Sequence, residues 1–199
     1  MGESLAKYES GNLSVKAITS VQAAAEDKGG WSYGKYQIAT NTGTINQSLK
    51  TSKYKEEFEG LKPGTKAFNH KWIEIADRDP SGFEKDQHEF IERTHYLPQM
   101  NKLKKNGIDF SNRGPAIEDA VWSTSVQYGA HTNVIQKAFE GKDVSKMSNA
   151  QIINVLQTYK YNTADLYYRS SSKETKDSVR KRCLDEKETL LNLDAKGKQ

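Results

Sequence analysis

Apolar residues in the last two-thirds of the chain recur every three or four positions, from about residue 64 to near residue 193. This period matches one face of an α-helix, so each run predicts an amphipathic helix packed against a core. The runs contain Phe68, Trp72, Ile75 and Ala76; Phe83, Gln87, Phe90 and Ile91; Ile117, Ala120, Val121, Ser125 and Tyr128; and Ile152, Ile153 and Leu156. Asp79-Pro80 separates the first two runs, because proline cannot continue a helix, and Gly129 ends the third. A last, highly charged helix is predicted over residues 173–193.

The first forty residues differ from this helical part. Residues 3–10 predict a short helix that Gly11 ends. From 15 to 40, β-branched and aromatic residues surround the turn sequence Asp27-Lys28-Gly29-Gly30, which predicts a hairpin or an irregular extended segment. The fold class is therefore mainly α (α+β), with one small β element near the start.

Composition narrows the classes of function. The 199 residues suffice for one domain, or for one domain with two lobes. Hydrophobic residues make up 35% and charged residues 28%, which is typical of a folded chain. The net charge of +4 favours approach to a polyanion, and the bacterial cell wall is one such polymer. Nucleic acid is another, but no long Lys/Arg cluster supports it, so we expect no nucleic acid partner.

Metal, thiol and nucleotide chemistry find no support in the sequence. The four histidines are too scattered to form a recognisable metal motif, and neither a phosphate-binding loop nor a G-x-S-x-G turn occurs. Cys183 is the single cysteine, in a helical run with Val179 and Leu184, and we expect a buried structural thiol. We predict no metal and no cofactor.

No segment has the apolar length of a membrane span, and the N-terminal residues lack the apolar core of a signal peptide. We therefore expect synthesis in the cytoplasm and delivery by other means to a target outside it.

Two carboxylates, Glu9 and Asp27, stand on different local elements beside an aromatic, glycine-rich segment. Glycoside hydrolysis needs such a pair, since one carboxyl must stay protonated to donate to the leaving oxygen while the other stays ionised to activate water. Apolar neighbours of Glu9 would raise its pKa, and Lys28 beside Asp27 would keep that carboxyl charged. The chain has 26 acidic residues, however, and most Glu/Asp pairs are only solvated surface.

The stretch Glu9-Ser10-Gly11, then residues 27–39 (DKGGWSYGKYQIA), then Thr42-Gly43-Thr44 resembles the lysozyme-like domains of phage lysis enzymes and type VI secretion effectors. The chitosanase-like C-terminal domains of VgrG spike proteins, related to the family-46 chitosanases, are most similar. In those chitosanases an acid Glu is followed after eighteen residues by a base Asp, and after five more by a hydroxyl residue that orients water. Glu9, Asp27 and Ser32 have these spacings, with Ser32 in place of the chitosanase Thr. The resemblance implies that Glu9 is the general acid, Asp27 the general base and Ser32 the water-orienting residue.

The resemblance continues more weakly to about residue 190. Gln87, Tyr96-Leu97-Pro98 and the segment from Val121 to Gly129 fall where such domains carry similar residues, and we expect Trp122 in the core. It implies a lysozyme-like, two-lobed fold with a small β hairpin beside the active-site cleft, formed by one catalytic domain over residues 1–193 with a disordered tail over 194–199. The predicted substrate-binding residues are Trp31, Tyr33, Gly34, Tyr36, Gln37, Thr44 and Gln127.

The net charge of the chain and the resemblance both indicate which polymer such a site cuts. The basic chain and its Ser-Tyr-Gly-Lys-Tyr-Gln segment favour an inverting muramidase acting on peptidoglycan glycan strands over a chitosanase. A lytic transglycosylase, which would need only Glu9, and a non-catalytic wall-binding module remain alternatives. A phage endolysin, a virion enzyme and an antibacterial effector all fit the sequence, and an effector would have an immunity protein as partner.

Overall fold

The computed structural model describes residues 2, 4–5, 14–20 and 30–197 of the chain. The chain divides into two compact units, and each is described by itself. We call Lys7–Arg93 the sheet unit, and Met1–Ala6 together with Thr94–Gln199 the helical unit. A five-residue π-helical turn, Glu92–Tyr96, contains the boundary between them.

The sheet unit contains three short antiparallel strands, β1 (Ile18–Thr19), β2 (Ser32–Tyr33) and β3 (Ile38–Ala39), in the order β1-β2-β3. Thr19 and Ala39 both pair with Ser32, and Ile18 and Ile38 both pair with Tyr33. The expected β element is confirmed, with β2 as its central strand. Central position matters here because both edges of β2 are hydrogen-bonded, which fixes its register.

The helices of the sheet unit are α1 (Thr44–Thr51), α2 (Lys66–Arg78) and α3 (Pro80–Ile91), with a 3₁₀ turn at Lys55–Phe58. Aromatic rings form the core: the centroid of Trp72 lies 4.5 Å from that of Phe83 and 5.1 Å from that of Tyr33. Asp79 caps α3 by accepting a hydrogen bond from Gly82 N, and Pro80 occupies the first turn, where its missing N–H costs nothing.

The helical unit contains α4 (Leu97–Lys105), α5 (Pro115–Tyr128), α6 (Val134–Ala138), α7 (Asn149–Asn162), α8 (Ala164–Tyr167) and α9 (Lys173–Lys196), with a 3₁₀ turn at Val144–Lys146. Helix α5 is buried along most of its length, and α9 packs against both α5 and α7. Asp119 on α5 also holds the first residues of the chain, because its carboxylate accepts hydrogen bonds from the backbone N–H groups of Gly2 and Ser4. The helical unit is thus built around one central helix.

The helical predictions are confirmed where the apolar period is strong. The buried faces of α2 and α3 contain the residues predicted for them, α5 ends at Gly129, and Trp122 and Cys183 are buried. Leu184 is the exception, since 55% of it is exposed. The last helix continues past residue 193 to Lys196, because Asp194 is buried and accepts a hydrogen bond from Asn149 Nδ2. The helix predicted over residues 3–10 lies mostly outside the described residues.

Within the described residues, no helix combines the length and apolar character that crossing a bilayer requires.

Candidate active site

Of the three predicted catalytic residues, Ser32 lies within the described part of the chain, and Glu9 and Asp27 lie outside it. Asp27 belongs to the segment 21–29, whose two flanking ends are brought together by the pairing of β1 with β2. Ser32 is 8% exposed. Within the described residues its hydroxyl makes no hydrogen bond, whereas its backbone lies between two paired strands. The structure therefore presents Ser32 as an uncommitted hydroxyl on a fixed backbone.

The turn between β2 and β3 is braced by Gln87 of α3. The Gln87 carboxamide is 1% exposed; its Oε1 accepts a hydrogen bond from Lys35 N at 3.2 Å, and its Nε2 donates to Val15 O at 3.3 Å. Gly34 lies against this carboxamide so closely that a Cβ at that position would be 2.1 Å from Oε1, and its φ is +72°. Glycine is needed here both for the left-handed conformation and for the close approach.

Gln37 completes the same turn in an unusual conformation. Its φ is +50°, a left-handed value that non-glycine residues rarely adopt. The side chain offsets this, because Nε2 donates to Gly34 O at 3.1 Å and Oε1 accepts from the Thr19 hydroxyl at 2.7 Å. The predicted substrate-binding residues Gly34 and Gln37 thus shape the turn two to five positions after Ser32.

Two tyrosines flank this turn, and both are buried. Tyr33 has no exposed surface, and its hydroxyl donates to Asn69 Oδ1 at 2.6 Å and accepts from Gly64 N at 2.8 Å. Burial raises the pKa of Tyr33, and the hydrogen bond from Gly64 N opposes this only in part. The Tyr36 hydroxyl forms a 2.7 Å hydrogen bond with His88 Nδ1. Both tyrosine hydroxyls are thus hydrogen-bonded within the protein, as expected of side chains that hold a strand and its turn in position.

Trp31 and Thr44 are partly exposed beside these buried residues. Trp31 exchanges hydrogen bonds with Thr40 (Trp31 N to Thr40 Oγ1 and Thr40 N to Trp31 O, each 2.9 Å), and its indole lies against Gly64. Thr44 begins α1, and its hydroxyl is 2.7 Å from that of Thr42. An indole edge and a hydroxyl are suitable groups for contacting a sugar.

Gln127, the remaining predicted binding residue, lies on α5 in the helical unit. Its Nε2 donates to the Tyr168 hydroxyl at 3.2 Å, and its Oε1 is buried without a hydrogen-bond partner in the described structure. The structure thus brings Trp31, Ser32, Tyr33, Gly34, Tyr36 and Gln37 together on and around β2 in the sheet unit. Gln127 belongs to the helical unit.

Comparison with known proteins identifies the family of the chain. The family described as the C-terminal part of the VgrG3-like type VI secretion system spike proteins matches residues 1–187. The chain belongs to this family. It is also 39% identical over 197 residues to the type VI secretion system spike protein VgrG3 of Vibrio cholerae serotype O1, covering 99% of the chain. The chain spans 19% of the length of that relative.

The helical unit contains a buried charged cluster that the sequence analysis did not predict. Its residues lie within the part of the chain that the family model matches. Glu186 of α9 and Lys160 of α7 are both fully buried, with Lys160 Nζ 2.7 Å from Glu186 Oε2. Arg182 Nε lies 2.6 Å from Glu186 Oε1, and the Ser123 hydroxyl donates to the same oxygen at 2.7 Å. Burial by itself raises the pKa of Glu186, but the charges of Lys160 and Arg182 outweigh it and hold this pKa well below its usual range.

The sequence contains an indication of this cluster in the spacing of its charged residues relative to the apolar face of each helix. Lys160 follows Leu156 by four positions, and Glu186 follows Cys183 by three and precedes Leu190 by four, so both continue an otherwise apolar face. A charged residue at such a position is expected to have a buried partner.

Two of the four histidines contact neighbouring polar side chains. His88 is hydrogen-bonded to Tyr36, as described above, and His95 Nδ1 lies 2.9 Å from the Thr94 hydroxyl. Burial lowers the pKa of His95, and the nearby charge of His131 lowers it further. Among the described residues, no three His, Cys, Asp or Glu side chains are grouped as metal ligands would be.

Proposed function

We propose that this chain is the effector domain of a type VI secretion spike, a glycoside hydrolase that cleaves the glycan strands of peptidoglycan. The observation that carries the proposal is the acid–base–hydroxyl spacing of Glu9, Asp27 and Ser32, in a chain of the VgrG3-like C-terminal family. The coupling of a proton donor to a water-activating base is what glycosidic bond cleavage requires.

The proposed reaction is a single displacement. Glu9 donates its proton to the glycosidic oxygen as the bond from that oxygen to the anomeric carbon breaks. Asp27 takes a proton from a water molecule whose oxygen attacks the same carbon from the opposite face, so the configuration inverts. The Ser32 hydroxyl holds that water by a hydrogen bond. Transfer of the proton from Asp27 back to Glu9 through solvent completes the cycle.

The surroundings of Ser32 support this role. Its strand is hydrogen-bonded on both edges, and the turn that follows is braced by Gln87, so the backbone that carries the hydroxyl is held in place. Orientation of a water molecule depends on such precision, because a displacement of about 1 Å can cost about 10²-fold in rate. The partly exposed Trp31 and Thr44 would contact the sugar, while Tyr33, Gly34 and Gln37 would keep the strand and turn in place.

The test is digestion of purified peptidoglycan with mass spectrometry of the products. Reducing ends with muramic acid at the terminus support a muramidase, whereas 1,6-anhydro ends would indicate a lytic transglycosylase. Release of oligomers from chitosan, and not from peptidoglycan, would indicate a chitosanase. Wall binding with no released product would leave a non-catalytic module and overturn the proposal.

Variants assign the roles. Glu9→Gln and Asp27→Asn should each lower the rate by about 10²- to 10⁴-fold, and Ser32→Ala by about 10²-fold. Ser81→Ala, at an exposed serine of α3, is the matched control and should act as the unchanged chain does. Full activity of Asp27→Asn with loss in Glu9→Gln would favour the transglycosylase. NMR of the first-formed anomer checks inversion independently.

The effector role has its own test. Expression of the chain with an added export signal in a Gram-negative host should cause lysis, and expression without the signal should not, since the wall lies outside the cytoplasm. Exported Glu9→Gln should be harmless. A protein that binds the exported chain and prevents lysis would be the immunity partner expected of an effector.

A further inference from the structure

The helical unit contains two surface cavities that have Lys142 in common, and together we call them the Lys142 groove. One cavity of about 550 Å³ lies between the end of α4 and α6, where Asn106, Asn133 and Gln136 line it. A second cavity of about 400 Å³ lies between α6 and α7, where Asn154, Tyr159 and Asn162 line it.

Carboxamides dominate the polar lining of the Lys142 groove. Five of its side chains are carboxamides, those of Asn106, Asn133, Gln136, Asn154 and Asn162. Each can donate and accept, which matches the alternating hydroxyl and acetamido groups of an N-acetylated glycan. Three of them already form one hydrogen bond within the protein: Asn106 Nδ2 and Asn154 Nδ2 donate to the backbone oxygens of Lys102 and Ala150, and Asn133 Oδ1 accepts from Lys102 Nζ. Each keeps further donor or acceptor capacity for a ligand.

The charge of the Lys142 groove is positive. Lys137 and Lys142 are exposed, and neither forms a salt bridge with any described acidic residue, whereas nearby Lys104 and Lys146 are paired with Asp109 and Asp143. Glu140 is the acidic side chain in the lining. Two unpaired ammonium groups favour a ligand with carboxylates.

The lining of the groove is mixed in character. Phe139 and Ile108 form a buried floor in the first cavity, where Phe139 packs edge-on against Phe110. The accessible surface of this cavity is polar and apolar in about equal parts, and that of the second, which Tyr159 lines, is mainly apolar. Ligand sites commonly combine such apolar surface with a few polar groups, and the apolar face of a sugar ring can pack on it.

We propose that the Lys142 groove is a second glycan-binding site, which takes a carboxylate-bearing, N-acetylated segment of the wall polymer and retains the chain on its substrate. This proposal rests on the proposed function for the identity of the polymer. The residues that line the groove all belong to the helical unit, whereas Ser32 belongs to the sheet unit.

Retention on purified, insoluble peptidoglycan tests the proposal. In the Glu9→Gln background, which prevents digestion, Lys137→Glu with Lys142→Glu should weaken co-sedimentation by about tenfold, because two attractive contacts become repulsive. Lys62→Glu with Lys181→Glu makes the same change of charge at exposed, unpaired lysines outside the groove and should have little effect. Equal weakening by both pairs would show a general charge effect and overturn the site.

A neutral substitution separates hydrogen bonding from charge. At high salt, where charge attraction is screened, Gln136→Leu should still weaken retention about threefold, the effect of one lost hydrogen bond. Glycan strands stripped of their peptides should compete for retention, and free stem peptides should not. Competition by the peptides alone would overturn the glycan assignment.

The glycan-binding site and the hydrolase activity can be refuted independently of each other. With Glu9 restored, the Lys137→Glu/Lys142→Glu chain should cut short soluble glycan fragments at the unchanged rate, within about twofold, and lose rate only on insoluble wall. Retention that depends on the groove in a chain that releases no fragments would refute the hydrolase and keep the site. If the Lys137→Glu/Lys142→Glu chain hydrolyses insoluble wall as fast as the unchanged chain does, the site is refuted and the hydrolase is kept.

Discussion

Gly34 connects the candidate site to the core of the sheet unit through a single close approach. Its backbone is left-handed, and the Gln87 carboxamide occupies the space that a side chain would need. Gln87 in turn holds Val15 O and Lys35 N, which belong to segments on either side of β2. The conformation of the turn after Ser32 therefore depends on one residue having no Cβ.

The change Gly34→Ala should destabilise the protein by about 3 kcal/mol, from left-handed strain together with displacement of a buried hydrogen-bonded carboxamide. Gly43→Ala is the matched control, because Gly43 has the same φ of +72° and nothing lies within 4 Å of the point that its Cβ would occupy. That variant should lose about 1 kcal/mol. Urea unfolding measures both, and equal losses would show that contact with Gln87 contributes nothing.

Lys160 and Glu186 present the opposite situation, in which two charged residues occupy core positions. Both are fully buried, and Glu186 also accepts hydrogen bonds from Arg182 and Ser123. Such a pair adds little net stability over an apolar pair of the same volume, but removal of Lys160 leaves the buried Glu186 with Arg182 as its remaining cation among the described residues.

Lys160→Met should therefore destabilise the chain by about 3–5 kcal/mol. Lys16→Met breaks an ion pair with Asp77 in which both side chains are more than half exposed, and it should change stability very little. Chemical denaturation compares the two variants. A small effect of Lys160→Met would mean that the charge of Arg182 and the hydrogen bond from Ser123 compensate the Glu186 carboxylate without Lys160.

Among the helices that the structure describes, α7 has the most complete N-terminal cap. Ser148 Oγ accepts from Gln151 N at 3.2 Å, and Gln151 Oε1 accepts from Ser148 N at 2.8 Å, which forms a capping box. This helix also packs against α9 and carries Lys160, so its start fixes the buried cluster in place.

Ser148→Ala should cost about 1 kcal/mol of stability, since the backbone N–H of Gln151 loses its acceptor, Ser148 Oγ. Ser178→Ala, at an exposed position inside α9, should be neutral or slightly stabilising because alanine is the better helix former. Thermal unfolding of both variants shows whether the loss of stability is specific to the capping position. An equal loss of stability in both would contradict a capping role for Ser148.

The elements that the sequence predicts best are those with a long apolar period. The faces of α2, α3 and α5 could be read from Phe68, Phe83 and Ile117 onward, because burial imposes the 3.6-residue repeat. Helices α1 and α4 were not predicted: α1 has eight residues with two buried, and the nine-residue α4 likewise has two. Short helices with so few buried positions depend on tertiary contacts that sequence alone does not contain.

For the candidate site, the sequence identifies residue types and spacings but not which side chains are already engaged. Tyr33, Tyr36 and Gln37 were predicted to contact substrate, and each has its polar atoms bonded within the protein. Gln87 is predicted on the buried face of α3 and is noted for its resemblance, but its role as the brace of the β2–β3 turn requires the fold. The catalytic assignments of Glu9, Asp27 and Ser32 stay predictions.

For the molecule as a whole, the lowered pKa values of Glu186 and His95 both predict that stability falls as the pH falls. Glu186 has a lowered folded-state pKa, so its contribution to stability is present above the unfolded value near 4.5 and is lost as pH falls towards about 2. His95 also has a lowered pKa, because burial disfavours its charged form, and stability is lost as pH falls below the unfolded value of 6.5.

Stability should therefore decline in two stages between pH 7 and pH 2. Unfolding free energies measured by urea titration across this range should show the first decline flattened in His95→Asn and the second in Glu186→Gln. His70→Asn, at an exposed histidine of α2, serves as the control for the first. A first decline that is the same in all variants would assign it to other groups.

The buried thiol on α9 has a consequence for travel between compartments. Cys183 is 1% exposed, and burial raises its pKa to about 11, so very little of it is the thiolate that reacts with oxidants or disulfides. With one cysteine among its 199 residues, the chain contains no pair of thiols that could close into an internal disulfide. Under the export that the proposed function requires, a change from reducing to oxidising conditions would leave its cysteine chemistry unchanged.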